Sequence, residues 1–252
     1  MSKTAIVSAM HQELSALLAL MPSGRKTVHV GREFWEGQLY GHQVVMVLSR
    51  LGKVAAATTT TVLIERFGAK RIVFTGLAGG LGAGIRVGDV VVADAFIQHD
   101  MDVTPLYPRF EVPLYERASF STDAGMTAQL VKASRQVLAN PKALLGSEAV
   151  EDFGLGDNRV HQGLIASGDR FIGSAQDGHA IQKALGAQGL DALAVEMEGA
   201  AVAQVCYDYG VPFAAVRTIS DHADHEAHVD FKRFLRCVAS RYSAAIMEKF
   251  LD

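Results

Sequence analysis

Short runs of Val, Ile and Ala recur along the chain, each bounded by glycine or polar residues, with longer stretches of helical period between them. Continuous apolar runs of this length suit strands covered on both faces. They predict strands at residues 5–10 (AIVSAM), 43–49 (QVVMVLS), 71–75 (RIVFT), 89–96 (DVVVADAF), 163–167, 193–195 and 213–219. Helices are predicted between them. Residues 53–67 carry small and apolar side chains and end at Gly68, a plausible C-cap; residues 199–209 stop at Gly210-Val211-Pro212. Near the end, Phe234, Leu235, Val238, Tyr242, Ala245, Ile246 and Phe250 fall at three- and four-residue spacing, an amphipathic stripe. Strand–helix alternation of this kind predicts a mixed, largely parallel sheet sandwiched by helices. Residues 140–158 are the least regular stretch and read as a surface loop with a short helix at most. With no internal repeat and no low-complexity linker, one domain spanning 1–252 is expected.

Composition changes this picture little. The chain has 252 residues, 49% hydrophobic and 20% charged, which is enough to bury a substantial core and excludes a disordered or disulfide-scaffold class. A formal net charge of −3 gives no electrostatic reason to expect nucleic acid or an anionic membrane as partner. No segment approaches the roughly 18 consecutive apolar residues that span a bilayer. The apolar start is broken at once by His11, Gln12 and Glu13, so it is no secretory signal and the chain reads as cytoplasmic. Cys206 and Cys237 lack metal-type or CxxC spacing and read as buried free thiols.

Candidate chemistry collects at strand ends, where open α/β sheets bind ligands. Glu13 follows the first strand, and Gly76-Leu77-Ala78-Gly79-Gly80 follows the third as an expected turn. Glu196-Met197-Glu198 follows the strand at 193–195, and Ser220-Asp221 the strand at 213–219. Each acid alone is more simply a helix-start carboxylate complementing the helix dipole. The glycine segment lacks the Lys-Ser/Thr of a phosphate-binding loop and the spacing of GxGxxG; its glycines suit a tight turn or a close ligand approach. If the strand ran past Val195, Glu196 and Glu198 would point to one side and Met197 to the other. His222, His225 and His228 lie three apart beside Asp221 and Asp224, but without HExxH no metal site is expected, and no cofactor.

Taken in order, these segments resemble the 5′-methylthioadenosine/S-adenosylhomocysteine nucleosidases of the purine nucleoside phosphorylase/uridine phosphorylase superfamily. The resemblance covers nearly the whole chain. It runs through AMHQE (9–13), GKVAAA (52–57), TGLAGG (75–80), VGDVV (87–91), HDMDVT (99–104) and SGDRFI (167–172). It ends with AVEME (194–198) and VRTISD (216–221), the two most specific segments. It implies a three-layer α/β/α fold with a central mixed, partly barrel-like sheet. It also implies hydrolysis of the N-glycosidic bond of an adenine nucleoside, and a homodimer.

The resemblance also implies roles. The position of Asp221 is the general acid that protonates adenine N7 as the bond to the sugar breaks. Glu198 binds the ribose hydroxyls and favours the cationic sugar of an oxocarbenium-like transition state. Glu13 is the general base on the attacking water, and Arg217 helps to position that water and Glu198. Phe171 stacks on adenine and the Ile172 backbone reads its edge, while Met10 and Met197 pack around the sugar. Phe231 closes over the 5′-substituent, making residues 222–231 a gate. Val103 reaches into the neighbouring subunit's 5′ pocket. Glu196, Leu77 and Ser220 complete the expected substrate-contacting set. Two departures stand out: the family's usual Ser or Thr, whose hydroxyl helps hold the water, is Leu77 here, and residues 140–158 form a longer stretch than usual.

The nearest rival is a nucleoside phosphorylase on the same fold. Phosphate needs an anion site with convergent arginines. Met10-His11-Gln12-Glu13 instead puts a carboxylate at the corresponding turn, which repels phosphate and suits water activation. Hydrolases acting on futalosine or adenosine monophosphate share the fold and stay open. A non-catalytic nucleoside-sensing module would have no need of both Glu13 and Asp221.

Overall fold

The structure, a computed structural model, describes residues 3–221 and 231–252, with only the backbone of Phe231 and Lys232. The first strand, β1 (Thr4–Ser8), is buried at all five positions because neighbours cover both of its edges and both of its faces. Its alternating side chains feed two cores: Ala5 and Val7 on one side, Ile6 on the other. After α1 (His11–Ala19) come β2 (Arg25–His29), β3 (Arg32–Leu39) and β4 (His42–Leu48), an antiparallel set whose last strand returns parallel to β1. Next follow α2 (Lys53–Glu65), β5 (Arg71–Gly80), β6 (Val90–Gln98), β7 (Ser119–Ser121) and α3 (Ala124–Leu138). Then come α4 (Pro141–Leu145), α5 (Ser147–Asp152), β8 (Val160–Ser167), α6 (Ala175–Gly186), β9 (Ala192–Glu196), α7 (Gly199–Tyr209) and β10 (Phe213–Asp221). The chain ends in α8 (Phe231–Phe234), a π-helical turn (Leu235–Ala239) and α9 (Ser240–Leu251).

Among the described residues the strands form one sheet in the order β10-β6-β8-β9-β5-β1-β4-β3-β2, with β7 on β6. An additional β10–β5 pairing closes β5, β10, β6, β8 and β9 into a barrel, and β1 to β4 extend from β5 as an open wing. Helices α2 and α7 pack together over one core, and α1, α3 and α9 over the other. This is the mixed, partly barrel-like α/β arrangement that the resemblance implied. No helix among the described residues is long and apolar enough to cross a membrane.

Several sequence expectations are corrected. The sheet is not largely parallel: five pairings are parallel and five antiparallel. The glycine segment at 76–80 is no turn but the second half of β5, hydrogen-bonded to β10 and, at Gly79 and Gly80, to β9. Its composition suits a strand approached closely, since a Cβ on Gly80 would meet Ile85 at 3.1 Å and Ile219 at 3.3 Å. Residues 140–158 are not a plain surface loop. Helices α4 and α5 bury Leu145 and Val150 in the core with Leu155, and Phe153 stacks edge-on against Phe234 at 5.4 Å. Of the two thiols only Cys206 is buried; Cys237 is half-buried. Strand β9 stops at Glu196, so Glu198 is the N-cap of α7 rather than the next strand position.

Candidate active site

A cavity of about 430 Å³ opens where β1, β5, β8, β9 and β10 give out. Met10, the N-cap of α1, lines it beside Leu77, Ala78 and Gly79 from β5. Arg170, Phe171 and Ile172 follow β8; Phe171 is 53% exposed at the mouth while Ile172 is buried. From the β9–α7 junction come Glu196, Met197 and Glu198, and from the end of β10 Ser220 and Asp221. The walls are mainly apolar, so the few carboxylates carry most of the site's polarity.

Glu196 and Glu198 sit two residues apart but do different things. Every Glu196 oxygen is engaged. Oε2 accepts from the Glu198 and Gly199 backbone at 3.2 and 2.9 Å and from Arg217 Nη2 at 2.8 Å; Oε1 accepts from Gly199 at 3.0 Å and from the Ser167 hydroxyl. Ser167 Oγ in turn accepts from Ala200 N at 2.8 Å. Together they satisfy the orphan donors at the start of α7, so Glu196 is the helix-capping acid. Gly199 is required at that junction, since a Cβ there would lie 2.1 Å from the Phe96 ring. Glu198 is thereby left to turn away from α7. Its Oε1 accepts the Gly52 N–H at 2.8 Å, at the start of α2, from a backbone at φ +90° that favours glycine. The next amide, Lys53 N–H, donates to Asp169 at 2.7 Å, so one turn ties Glu198 to the segment that leads into Phe171.

Glu13 lies one shell below, in the first turn of α1 and fully buried. Its Oε2 reaches back to the Met10 N–H at 3.3 Å, one half of a capping box, while Oε1 has no hydrogen-bond partner. Burial pushes its pKa up to about 8; the Arg217 charge and the Met10 amide pull downward, and the Glu198 charge pushes up. Burial and the Glu196 charge push Glu198 up to about 7, against the Gly52 amide and Arg217. Arg217 is 1% exposed, stacked at 4.1 Å over the Phe74 ring. Its Nη1 donates to the Phe74 and Val216 carbonyls, both at 3.1 Å. The ion pair it makes is with Glu196, and Glu13 and Glu198 feel its charge through space. Asp221 is buried, and its Oδ2 accepts from the Ser220 hydroxyl at 2.7 Å.

The structure thus gathers Met10, Leu77, Phe171, Ile172, Glu196, Met197, Glu198, Ser220 and Asp221 around one cavity, with Glu13 and Arg217 buried outside its lining. Val103 is half-buried on the loop after β6 and is not part of the lining. The Phe231 side chain and residues 222–230, with His222, Asp224, His225 and His228, lie outside the described residues. Among the described residues no group of three metal-ligating side chains converges. Sequence reasoning missed Gly52, Ser167 and Asp169 as supports; the resemblance quoted their segments, but nothing local ties them to Glu198, Glu196 or α2.

Comparison with known proteins identifies the family. The model of the phosphorylase superfamily matches residues 3–252. The 5′-methylthioadenosine/S-adenosylhomocysteine nucleosidase of an Exiguobacterium species is 38% identical over 247 residues, covering 97% of this chain and 96% of the relative. That of Shewanella denitrificans is 34% identical, covering 99% and 98%. The crystal structure of the Neisseria meningitidis nucleosidase in complex with methylthio-immucillin-A superposes with a TM-score of 0.84 at 34% identity, covering 99% and 98%. Futalosine hydrolase of Helicobacter pylori superposes with a TM-score of 0.82 at 30% identity, covering 100% and 97%. The chain therefore belongs to the phosphorylase superfamily and, within it, to the 5′-methylthioadenosine/S-adenosylhomocysteine nucleosidase family.

Proposed function

We propose that this chain is an N-glycosyl hydrolase that cleaves 5′-methylthioadenosine or S-adenosylhomocysteine and releases adenine. One observation carries hydrolysis over phosphorolysis: the two carboxylates with raised pKa share the site with no arginine, among the described residues, left to receive phosphate. Arg217 is bound to Glu196 and Arg170 to Asp177, and the ionised form of Glu13 that water activation needs would repel an incoming anion.

In this reading adenine stacks at Phe171 and Asp221 protonates N7 as the glycosidic bond breaks, its carboxyl oriented by Ser220. Glu198, fixed by the Gly52 amide, holds the ribose hydroxyls and favours the cationic sugar. Glu13 takes a proton from the attacking water. With its pKa near 8, it is a strong base once ionised, and the Arg217 charge favours that ionised form. Leu77 lines the wall where the resemblance implies a Ser or Thr hydroxyl, so the water relies on Glu13 more heavily. A homodimer completes the 5′ end, with Val103 reaching the neighbour's site; Leu106, on the same loop, is 81% exposed in the single chain, as a segment covered by a partner would be.

The test is incubation of purified protein with methylthioadenosine, S-adenosylhomocysteine, adenosine, inosine and futalosine, each with and without phosphate. Free adenine and free sugar from the first two, independent of phosphate, is the expected result. A phosphate requirement would overturn the hydrolase reading, and turnover confined to futalosine would overturn the substrate.

A further inference from the structure

A second cavity, of about 460 Å³, lies against another face of α1. The N-cap Met10 lines the first cavity, whereas His11, Leu14, Ser15 and Leu18 line the second. Opposite them stand Arg32, Glu33 and Trp35 of β3, Leu48 of β4, and Arg50 on the loop that leads to Gly52.

The charges here are unbalanced. Arg32 is 9% exposed, and its guanidinium donates only to the Val30 and Ala55 carbonyls, at 3.1 and 3.2 Å; its Nε finds no acceptor. Arg50 donates to the Gly31 carbonyl and holds its backbone at φ +68°, a left-handed conformation that costs a non-glycine residue energy. Neither arginine forms an ion pair among the described residues. The cavity's own acid, Glu33, is bonded to Lys26 at 2.9 Å, and that ammonium lies 5.3 Å from the centre of the Trp35 ring. Burial and the Arg50 charge both act to lower the Arg32 pKa, while Arg50 itself is exposed to solvent. Buried guanidiniums are ordinarily paired, and an unpaired one in a cavity calls for a partner.

We propose that this second cavity binds an organic phosphate monoester with an apolar or aromatic body. Arg32 and Arg50 take the phosphate, two guanidiniums against a dianion, and Leu14, Leu18 and Trp35 take the body. The site is separate from the nucleosidase cavity and does not depend on which substrate that cavity turns over.

Trp35 is the chain's one tryptophan, so its emission reports this cavity and not the other. The experiment titrates the intact protein with phenyl phosphate, inorganic phosphate and phenol while reading Trp35 fluorescence. Phenyl phosphate is expected to give a saturable change at least about tenfold tighter than either fragment, weakening as salt is raised. Arg50→Gly removes one guanidinium and relieves the left-handed backbone. It is expected to weaken binding about tenfold or more while the unfolding midpoint stays at or above the parent's. Ser15→Glu keeps both arginines but adds a carboxylate to the cavity wall, and is expected to weaken binding as well. No saturable change up to about 10 mM phenyl phosphate, equal binding by phenol, or parent-like affinity in both variants would overturn the proposal.

Discussion

Two pairs of ionisable groups lie in and beside the cavity and are treated in opposite ways. Glu196 and Arg217 face each other at 2.8 Å, nearly sealed from solvent, with further bonds from Glu196 to backbone amides and Ser167 and from Arg217 to two backbone carbonyls. Glu13 and Glu198 are likewise buried, but no cation bonds to either of them, and their pKa values rise to about 8 and about 7. A well-bonded ion pair is scaffolding: it ties the start of α7 to the middle of β10. A pair of acids left short of partners is poised to exchange protons, which is where catalysis by carboxylates is expected. The difference lies in their partners and not in their burial.

If the comparison is right, breaking each part has a different outcome. The largest effect is expected at the acid that meets the leaving group. Asp221→Asn should slow adenine release by about 10²–10⁴-fold with an unchanged unfolding curve, and release equal to the parent's would remove Asp221 from the mechanism. Arg217→Met leaves Glu196 buried without its cation and should cost about 3–5 kcal/mol of stability in a denaturant titration. Restoring neutrality with Glu196→Gln in the same chain should recover part of that loss.

The stability of the fold should also carry the signature of the unpaired acids. A carboxyl whose folded pKa lies above its unfolded value of about 4.5 contributes stability that is complete below pH 4.5 and lost as pH rises through the folded value. For Glu198 and Glu13 that window closes near pH 7 and pH 8, and Glu13→Gln should flatten the upper part of the slope. The smallest effect is expected at the cavity wall. Leu77→Ser, which returns a hydroxyl beside the attacking water, should raise kcat/KM by less than about tenfold.

The sequence allowed some of this to be read and not the rest, for physical reasons. Strands such as β1 and β10 show as apolar runs because both faces are covered. Strand β2 (RKTVH) does not, because it is the sheet's outer edge, where charged side chains face water and discourage further pairing. The glycines of β5 read as a turn because composition cannot show that β9 and β10 supply hydrogen bonds from far along the chain. In the site, the order of motifs and the family resemblance located Glu13, Glu198 and Asp221. What separates Glu196 from Glu198 is set by Ser167, Arg217 and Gly52, none of them adjacent in sequence.

The most direct test of the unpaired acids as the reacting groups is the pH profile of kcat/KM for adenine release, for the parent and for Glu13→Gln. The parent is expected to gain activity as pH rises, with an apparent pKa between about 7 and 8 on the acidic limb, because the base must be ionised to take a proton from water. Glu13→Gln is expected to lose most of the activity and the limb that Glu13 contributes. A parent profile that is flat from about pH 6 to 9, or a Glu13→Gln profile that keeps the parent's shape and height, would contradict the assignment.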